Sequence, residues 1–216
     1  MNTLSQTAKP APAADASPSP AGDRKLQIEQ AALDLAYAHG PAAVSTGMIA
    51  RQIGLSQPAI YKHFKRKEDI WQAVAARLAQ QIHKNITASH NGGLPAPGGL
   101  RQLVGAHLEF LQRYPALPEI MTMRADAGGK NSFQGIIQAA MREFHLSLAR
   151  HVELAQKQKR FRKNICTTDA ATLILGLIQS LALRSLVSRD LDILANDGER
   201  LLELLLAGFQ QYGEST

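Results

Sequence analysis

The side chains with the clearest chemical role lie between residues 46 and 64, where the sequence reads TGMIARQIGLSQPAIYKHF. Ala50, Gly54 and Ile60 stand at the spacing of a helix-turn-helix motif. Such a motif needs a small residue where its helices cross, a glycine in the turn and an apolar anchor on the second helix. It places that second helix in the major groove of DNA. The three positions also fit a small three-helix hairpin without this function, so the neighbouring residues matter.

The second helix of this motif carries side chains that can contact DNA. If its apolar residues face the core, the outward residues are Gln57, Ala59, Lys62 and His63. Gln57 can donate to and accept from a base edge, and Lys62 can reach guanine or phosphate. Residues 65–67, Lys-Arg-Lys, come at the start of the next helix, where free backbone N–H groups also favour phosphate. A solvated basic face is the alternative, but here the charges adjoin a helix suited to a groove.

The distribution of charge indicates an anionic partner at this end of the molecule. The chain of 216 residues has 24 Lys and Arg against 18 Asp and Glu, a net charge of +6. Residues 24–84 carry nine basic and four acidic side chains, a net of +5, whereas residues 85–216 carry fourteen and twelve, a net of +2. Most of the positive charge therefore lies in the segment that contains the helix-turn-helix motif.

The sequence does not indicate other kinds of site. The single cysteine, Cys166, excludes an internal disulfide, and the seven histidines lack the spacing of metal ligands on a helix. No glycine-rich phosphate loop or nucleophile motif occurs, so we expect no enzyme activity, no metal and no cofactor. The start of the chain lacks a secretory signal, and the most apolar stretch, residues 170–183, is shorter than the roughly 20 residues that a membrane span needs. These features predict a cytoplasmic protein without a membrane partner.

The pattern of apolar residues predicts helices only. Residues 1–23 contain four prolines and no apolar period, which predicts a disordered tail. Helices are predicted at about 24–39, 45–53 and 56–64 and from 67 onward, before the break NGGLPAPGG at 91–99. Five further helices are predicted at about 99–113, 117–126, 132–157, 168–189 and 196–212. The chain is therefore predicted to be all-α with about nine helices: a tail at 1–23, a DNA-binding domain at 24–84 and a second helical domain at 85–216.

Taken together, the N-terminal motifs resemble the TetR family of bacterial transcription regulators. The resemblance runs from about Arg24 to Leu78. It comprises an amphipathic first helix that ends in His39-Gly40, the segment Ser45 to Ala50, the turn Gly54-Leu55-Ser56, the run Ile60-Tyr61-Lys62-His63-Phe64, and Lys67-Glu68. The resemblance implies an N-terminal domain that binds DNA and a C-terminal helical domain that binds an effector and dimerises.

Carried over residue by residue, the resemblance implies a set of DNA contacts. Base edges would be met by Gln57, Pro58, Ala59 and Lys62. The sugar-phosphate backbone would be held by Tyr61, His63 and Lys67, with Ser45 and Thr46 at the start of the first helix of the motif. Gly47 departs from the family pattern, in which many members carry a polar or basic side chain at that position.

The C-terminal helices are expected to enclose an effector cavity, because the corresponding helices do so in the family. The effector-binding residues that this implies are His107, Phe110, Tyr114, Met121, Phe144, His145 and Gln179. Aromatic and methionine side chains at such spacing also fit an ordinary packed core. The polar members are the stronger candidates, because a polar group that faces an apolar cavity needs a partner.

The last two long helices are predicted to be apolar on more than one side. Leucine and isoleucine residues occupy opposed faces of the helix at 168–189, and six apolar residues fall between 201 and 209. A helix that is apolar on most sides must be covered on most sides. A second copy of the chain would cover it, so a four-helix homodimer interface is predicted. Burial within one subunit is the alternative.

These observations predict a ligand-responsive transcriptional repressor. It would bind a palindromic double-stranded DNA operator as a homodimer and be released by a small-molecule effector. One alternative is a DNA-binding protein of the same fold that is controlled by a protein partner instead. Another is a helical enzyme or carrier that merely contains the motif, which detectable turnover or a lack of DNA binding at low salt would favour.

Overall fold

The computed structural model describes residues 20–122 and 132–210, which form helices and the turns between them. Its ten α-helices are α1 Pro20–His39, α2 Thr46–Gln52, α3 Gln57–Tyr61, α4 Lys67–Asn91, α5 Gly98–Arg113, α6 Leu117–Thr122, α7 Phe133–Lys157, α8 Thr167–Ser188, α9 Asp192–Asn196 and α10 Gly198–Ala207. A short 3-10 helix, Pro41–Ala43, lies between α1 and α2. Within these residues the β-type pairing is limited to an isolated bridge between Phe161 and Gln210. The predicted all-α fold is confirmed.

Some helix boundaries differ from the predicted ones. α1 begins at Pro20, so the last residues of the predicted tail are helical, and residues 1–19 lie outside the described residues. The helix predicted at 117–126 is observed as α6 up to Thr122, and its remainder also lies outside them. The single turn α9, which the sequence pattern did not indicate, precedes α10. α10 ends at Ala207, because the chain turns there rather than continuing towards residue 212.

Local signals set the ends of the helices in the helix-turn-helix segment. Ser45 caps α2, and its Oγ accepts a hydrogen bond from the backbone N–H of Met48 at 3.2 Å. Gly54 follows α2 with a φ of +68°, which is unfavourable for residues that have a Cβ. Pro58 lies in the first turn of α3, where a helix has no internal partner for the N–H that proline lacks. These ends lie close to the predicted ones, because each signal acts within a few residues.

α4 is a 25-residue helix that joins the helix-turn-helix pair to the rest of the chain. Its apolar residues recur every four positions and are buried, namely Ile70, Val74, Leu78, Ile82 and Ile86. α4 packs on α1 through Arg77, which lies beside Glu29, and on α7 through Trp71, whose ring meets Phe133 edge-on. The boundary proposed between residues 84 and 85 falls inside this continuous helix.

α8 has two apolar faces, of which one is buried. Ile174 and Ile178 pack into the core, whereas Leu173, Leu183 and Val187 are exposed by 55%, 58% and 77%. By length and composition alone, α8 is the one helix in the described ranges that is long and apolar enough to cross a membrane. Of its most apolar 18 residues, 39% are buried inside the chain. Its inner face packs against α7, so the exposed face is surface that this chain alone leaves uncovered.

Two stacked histidines lie where α4 and α7 meet. His151 Nε2 donates to Ser89 Oγ at 3.0 Å, because the hydroxyl proton of Ser89 goes to the carbonyl of Ile86 at 2.7 Å. His90 stacks on His151 with ring centroids 4.4 Å apart, and its Nε2 lies 3.0 Å from Ser147 Oγ. Burial, and secondarily the charge of His90, lowers the pKa of His151 to about 4. The His151 ring is therefore neutral at pH 7.

Acid is expected to destabilise the fold through His151. A histidine in the unfolded chain takes up a proton near pH 6.5, whereas His151 in the folded chain does so near pH 4. The free energy of unfolding should therefore fall as the pH is lowered from 6.5 to 4, by up to about 1.4 kcal/mol per pH unit for this residue. In H151N, which keeps a donor for Ser89, the free energy of unfolding measured in urea should depend less steeply on pH. The exposed-site control H83N should keep the wild-type dependence, and an unchanged slope in H151N would contradict the assignment.

Candidate nucleic-acid interface and ligand cavity

α2 and α3 form the helix-turn-helix pair and are held together by apolar contacts and a backbone hydrogen bond. Ile60 of α3 is fully buried, and Ala50 of α2 is 2% exposed. The N–H of Leu55 donates to the carbonyl of Ala50 at 2.8 Å and closes the turn. Six predicted DNA contacts lie on α3 and the turn after it. Four of them are exposed, namely Gln57, Pro58, Tyr61 and Lys62, and Ala59 and His63 are half-buried. The pair thus presents polar and basic side chains to solvent.

Thr46 differs from the other predicted DNA contacts because it is buried, with 6% of its surface exposed. Its Oγ1 accepts a hydrogen bond from Gln57 Nε2 at 2.8 Å and lies 3.4 Å from the hydroxyl oxygen of Tyr61. A Cβ at the neighbouring Gly47 would lie 3.8 Å from Gln57 Oε1, which is an ordinary van der Waals distance. The Thr46 hydroxyl therefore orients two exposed side chains of α3, a role that depends on how α2 and α3 cross.

The remaining predicted contacts lie at the starts of α2 and α4. Ser45 is exposed, and its Oγ is already used to cap α2. Lys67 is the half-buried first residue of α4. Just before it, the backbone N–H of Arg66 donates to Asp69, and the two side chains form an ion pair at 3.0 Å. This cap places the positive charges of residues 62–67 beside the exposed face of α3, where they favour an anionic polymer.

A cavity of about 750 Å³ lies among α5, α6, α7 and α8. Four of the predicted effector residues line it, namely His107, Met121, His145 and Gln179. Its wall is otherwise mainly aliphatic and includes residues that the sequence analysis missed, among them Leu111, Ile137, Met141, Arg142, Ile178 and Leu183. Helical spacing could have indicated two of these cavity residues. Ile137, Met141 and His145 are four residues apart on α7, so they share one side of that helix.

Phe110, Tyr114 and Phe144 lie behind the cavity wall rather than on it. The ring of Phe144 packs on His107 with centroids 4.2 Å apart. Phe110 lies 5.6 Å from His107 and 5.2 Å from Tyr114, measured between ring centroids. The Tyr114 ring in turn faces the guanidinium of Arg77 at 5.9 Å. Phe110 and Tyr114 therefore connect the wall of the cavity to α4, and Phe144 supports the His107 ring.

Arg77 continues this connection from α4 to α1. Its Nε lies 3.1 Å from Glu29 Oε2, but the N–H does not point at the oxygen closely enough for a hydrogen bond, so the attraction is electrostatic. Its Nη2 lies 3.4 Å from Gln30 Oε1 and donates to it. Burial raises the pKa of Glu29, and the charges of Arg77 and Lys25 oppose that rise. A single side chain of α4 thus touches both α1 and the end of α5.

His107 is the enclosed polar residue on the cavity wall. It is 2% exposed, and its Nδ1 has no hydrogen-bond partner among the described residues. Burial lowers its pKa to about 4, so the ring is neutral at pH 7. His145, also on the wall, is already engaged: it donates from Nε2 to Thr172 Oγ1 at 3.1 Å, because the Thr172 hydroxyl donates to the carbonyl of Thr168. His145 thus has a hydrogen-bond partner, whereas Nδ1 of His107 is enclosed without one.

Other features of the described residues point less clearly to a ligand. No three His, Cys, Asp or Glu side chains in residues 20–122 and 132–210 lie close enough to hold a metal ion. Cys166 is an exposed free thiol before α8. A smaller cavity of about 380 Å³ lies where the 3-10 helix and α4 meet α6 and α7, and its wall includes Trp71 and Phe133. The larger cavity is the better ligand site, because it combines a mainly apolar wall with a few polar side chains.

Residues 28–74 match the family model for bacterial regulatory proteins of the tetR family. The match extends from α1 into α4 and includes both helices of the helix-turn-helix pair. The match assigns this segment to the TetR family. The all-helical fold and the N-terminal motifs of the chain agree with this match, so the predicted resemblance to the family is confirmed.

The proteins to which this chain is similar extend the similarity beyond the matched segment. Nucleoid occlusion factor SlmA of Marinomonas sp. (strain MWYL1) is 20% identical over 157 residues, which cover 73% of this chain and 80% of that protein. The ketosteroid transcriptional regulator KstR2 of Mycobacterium tuberculosis has a TM-score of 0.72 at 14% identity, covering 88% of this chain and 96% of KstR2. The complex of SmeT with triclosan has a TM-score of 0.70 at 22% identity, covering 88% and 93%. SmeT is the repressor of a Stenotrophomonas maltophilia multidrug efflux pump. The fold is thus shared over both halves of the chain.

Removing the Thr46 hydroxyl is expected to reduce specific DNA binding without unfolding the protein. In T46V the shape of the buried side chain is kept, but Gln57 loses its acceptor and Tyr61 its neighbour. The affinity for a preferred DNA site should fall by about fivefold to tenfold, roughly one hydrogen bond, while binding to random DNA stays unchanged. Fluorescence anisotropy with both DNAs measures these affinities. T46S keeps the hydroxyl and should retain the wild-type ratio of the affinity for the preferred site to the affinity for random DNA. Equal ratios for T46V and T46S would show that the hydroxyl does not orient Gln57.

Proposed function

We propose that this protein is a ligand-responsive transcriptional repressor that binds a palindromic operator as a homodimer in the cytoplasm. The observation that carries the proposal is the way α4 connects two candidate sites. The exposed face of α3 lies before the N-terminal end of α4, and α5 and α7, which pack on α4, line a cavity of about 750 Å³ whose wall is mainly apolar. A regulator that responds to a small molecule needs both sites and a physical connection between them.

The DNA-binding role rests on the polar and basic face of α3 and the turn after it. Gln57, Pro58, Ala59 and Lys62 are proposed to meet base edges, with Gln57 held in place by Thr46. Ser45, Tyr61, His63 and Lys67 are proposed to contact the sugar-phosphate backbone. Thr46 itself acts through the side chains it orients, because its hydroxyl is buried.

The homodimer rests on the exposed apolar face of α8. Leu173, Leu183 and Val187 lie on it, and Leu204 of the neighbouring α10 is 69% exposed. Exposed apolar side chains of this size are costly to leave in water, and a two-fold copy covers them with the same residues. Two recognition helices held in this way would meet successive major grooves about 34 to 36 Å apart.

Control by a ligand would use the contacts between the cavity and α1. A molecule in the cavity presses on His107 of α5, whose aromatic neighbours lead to Tyr114 and then to Arg77. Arg77 is paired with Glu29 of α1, so a shift of α5 against α4 changes the position of the DNA-binding helices. The ligand would favour dimers whose recognition helices no longer match the spacing of the grooves.

A second candidate is a DNA-binding protein of the same fold that is controlled by a protein partner. The match to SlmA, which is named a nucleoid occlusion factor and covers 73% of this chain, favours it. The two candidates share the DNA interface and differ in the signal. Release of a selected DNA site by small molecules alone supports the first candidate, and DNA binding that responds to none of them supports the second.

Two substitutions on the DNA interface are expected to differ in their effects, which tests the proposed function. Selection from random DNA should first yield a two-fold symmetric site. Q57A should then cost roughly 1 to 3 kcal/mol on that site and relax the choice at one base pair in each half. K67A should weaken binding to all sequences alike and reduce the salt dependence by about one unit per subunit.

Filter binding at several salt concentrations separates these effects. The matched controls Q102A and K163A replace side chains on α5 and in the loop before α8, so they should behave as wild type. No sequence preference in the selection, or uniform weakening by both Q57A and K67A, would contradict the assigned DNA interface.

Charge on the exposed apolar face should separate the subunits. The double variant L173E/L204E places carboxylates on α8 and α10, where a second copy is proposed to pack. Sedimentation should show a wild-type dimer and a variant monomer at micromolar concentration, and specific DNA affinity should fall by about a hundredfold as the second half-site contact is lost. The control L94E, at a leucine that is 48% exposed outside α8 and α10, should remain a dimer. A monomeric wild type that binds its site tightly would overturn the proposed dimer.

A further inference from the structure

A basic surface lies at the end of α4 that is remote from the helix-turn-helix pair. Two segments form it, residues 91–102, which run from the end of α4 into α5, and residues 154–168, which run from the end of α7 into α8. Together they carry six Lys or Arg side chains and no Asp or Glu. The segments meet because Gln158 Oε1 accepts a hydrogen bond from the backbone N–H of Ala96 at 2.9 Å. We call this surface the basic end.

Half of the charges at the basic end are available to an anionic partner. Lys159, Arg160 and Lys163 are exposed and form no ion pair with a described residue. The other three bind a carboxylate or a backbone carbonyl, namely Lys157, Arg101 and Arg162. Each subunit therefore presents three uncompensated positive charges to solvent at this end, and such a cluster attracts an anionic surface.

Lys159 carries its charge in a backbone conformation that favours glycine. Its φ is +56°, and it follows the last turn of α7, where the N–H of Arg160 donates to the carbonyl of Ala155 at 2.8 Å. Glycine is the usual residue at this position of a helix end, because a Cβ is disfavoured there. The turn therefore does not need the lysine side chain, and glycine in place of Lys159 should leave the fold intact.

The basic end lies too far from α3 to hold the same segment of DNA. α4 has 25 residues between the helix-turn-helix pair and this end, which makes it about 37 Å long. At physiological salt, charges are screened over a Debye length of about 8 Å. The two surfaces are thus several Debye lengths apart. An anion at the basic end therefore belongs to a separate partner.

Exposed apolar side chains lie among these charges. Leu94 lines the same surface cleft as Lys159 and Arg160 and is 48% exposed. Leu154, one turn before Gln158 on α7, is 40% exposed. The phosphate backbone of DNA offers no partner to such side chains, whereas a membrane surface takes basic residues at its headgroups and apolar residues at the acyl boundary. The combination favours an anionic lipid surface over a second DNA.

We propose that the basic end binds the surface of a membrane that contains anionic lipids. Lys159, Arg160 and Lys163 lie at the headgroups and Leu94 at the acyl boundary. The contact is peripheral, leaves the exposed face of α3 free for DNA and does not depend on control by a ligand. The expectation of no membrane partner came from the length of the most apolar stretch, which bears on spanning segments. A contact at the membrane surface does not require one.

Sedimentation of the purified full chain with lipid vesicles, without DNA, tests the proposal. The protein should bind vesicles of phosphatidylcholine mixed with an equal amount of phosphatidylglycerol. It should bind vesicles of phosphatidylcholine alone at least about tenfold more weakly, and added salt should weaken binding to the mixed vesicles. Equal binding to both kinds of vesicle, or no binding to either, would overturn the proposal.

Two double variants, each with two positive charges removed, distinguish the basic end from the DNA interface. K159G/R160A should lower the affinity for the mixed vesicles by about 25-fold, roughly fivefold per charge, and keep the wild-type affinity for DNA. K62A/K67A should do the reverse. If K159G/R160A does not fold, K159G alone, which suits the backbone at this position, should show a loss of about fivefold. Vesicle binding that is lost in K62A/K67A and retained in K159G/R160A would overturn the proposal.

The exposed leucine distinguishes a membrane from a second DNA. L94S should lower the affinity for the mixed vesicles by about fivefold, because less apolar surface leaves water on binding. The control L26S, at a leucine of α1 that is 45% exposed, should keep the wild-type affinity. Protein bound to immobilised DNA should not capture a second labelled duplex through the basic end. Capture that is lost in K159G/R160A, together with unchanged vesicle binding in L94S, would assign the basic end to DNA and overturn the proposal.

Discussion

α4 runs without interruption from the helix-turn-helix pair into the C-terminal helices, and the positions of both depend on its packing. One buried stripe, from Ile70 to Ile86, faces the core along almost its whole length. α1 packs on this helix, and so do α5 and α7. Because a packed helix moves largely as a rigid body, the orientation of α2 and α3 is tied to the packing of α5 and α7. No flexible linker separates the two parts over residues 67–91.

The contact of Arg77 with Glu29 adds an electrostatic constraint to this apolar packing. Burial of Glu29 raises the pKa of its carboxyl group, and Arg77 lies close enough to offset part of that cost. A buried pair of this kind adds little net stability, because both groups lose hydration, but removal of one partner is costly. Its effect is to specify how α1 lies against α4. Since Arg77 also faces the Tyr114 ring, the same guanidinium responds to the end of α5.

α8 combines three surfaces in one helix. Its buried residues pack into the core, others line the cavity, and Leu173, Leu183 and Val187 form an exposed apolar face. Leu183 belongs to both the cavity wall and the exposed face. A ligand in the cavity and a second copy against the face would therefore meet at the same side chain. These three surfaces explain why α8 is apolar over most of its circumference.

The helix-turn-helix segment could be predicted from the sequence, because Ser45, Gly54 and Pro58 act on backbone only a few residues away. The all-helical class could be predicted as well, since apolar residues three and four apart fix which side of each helix must be buried. Which helix that side meets depends on the packing of the whole chain. That packing placed Thr46 beneath Gln57, moved Phe110, Tyr114 and Phe144 behind the cavity wall, and left His107 on it without a partner. The physical reason is that a periodic pattern defines a buried face, whereas the contacts of that face depend on crossing angles set by residues distant in the chain.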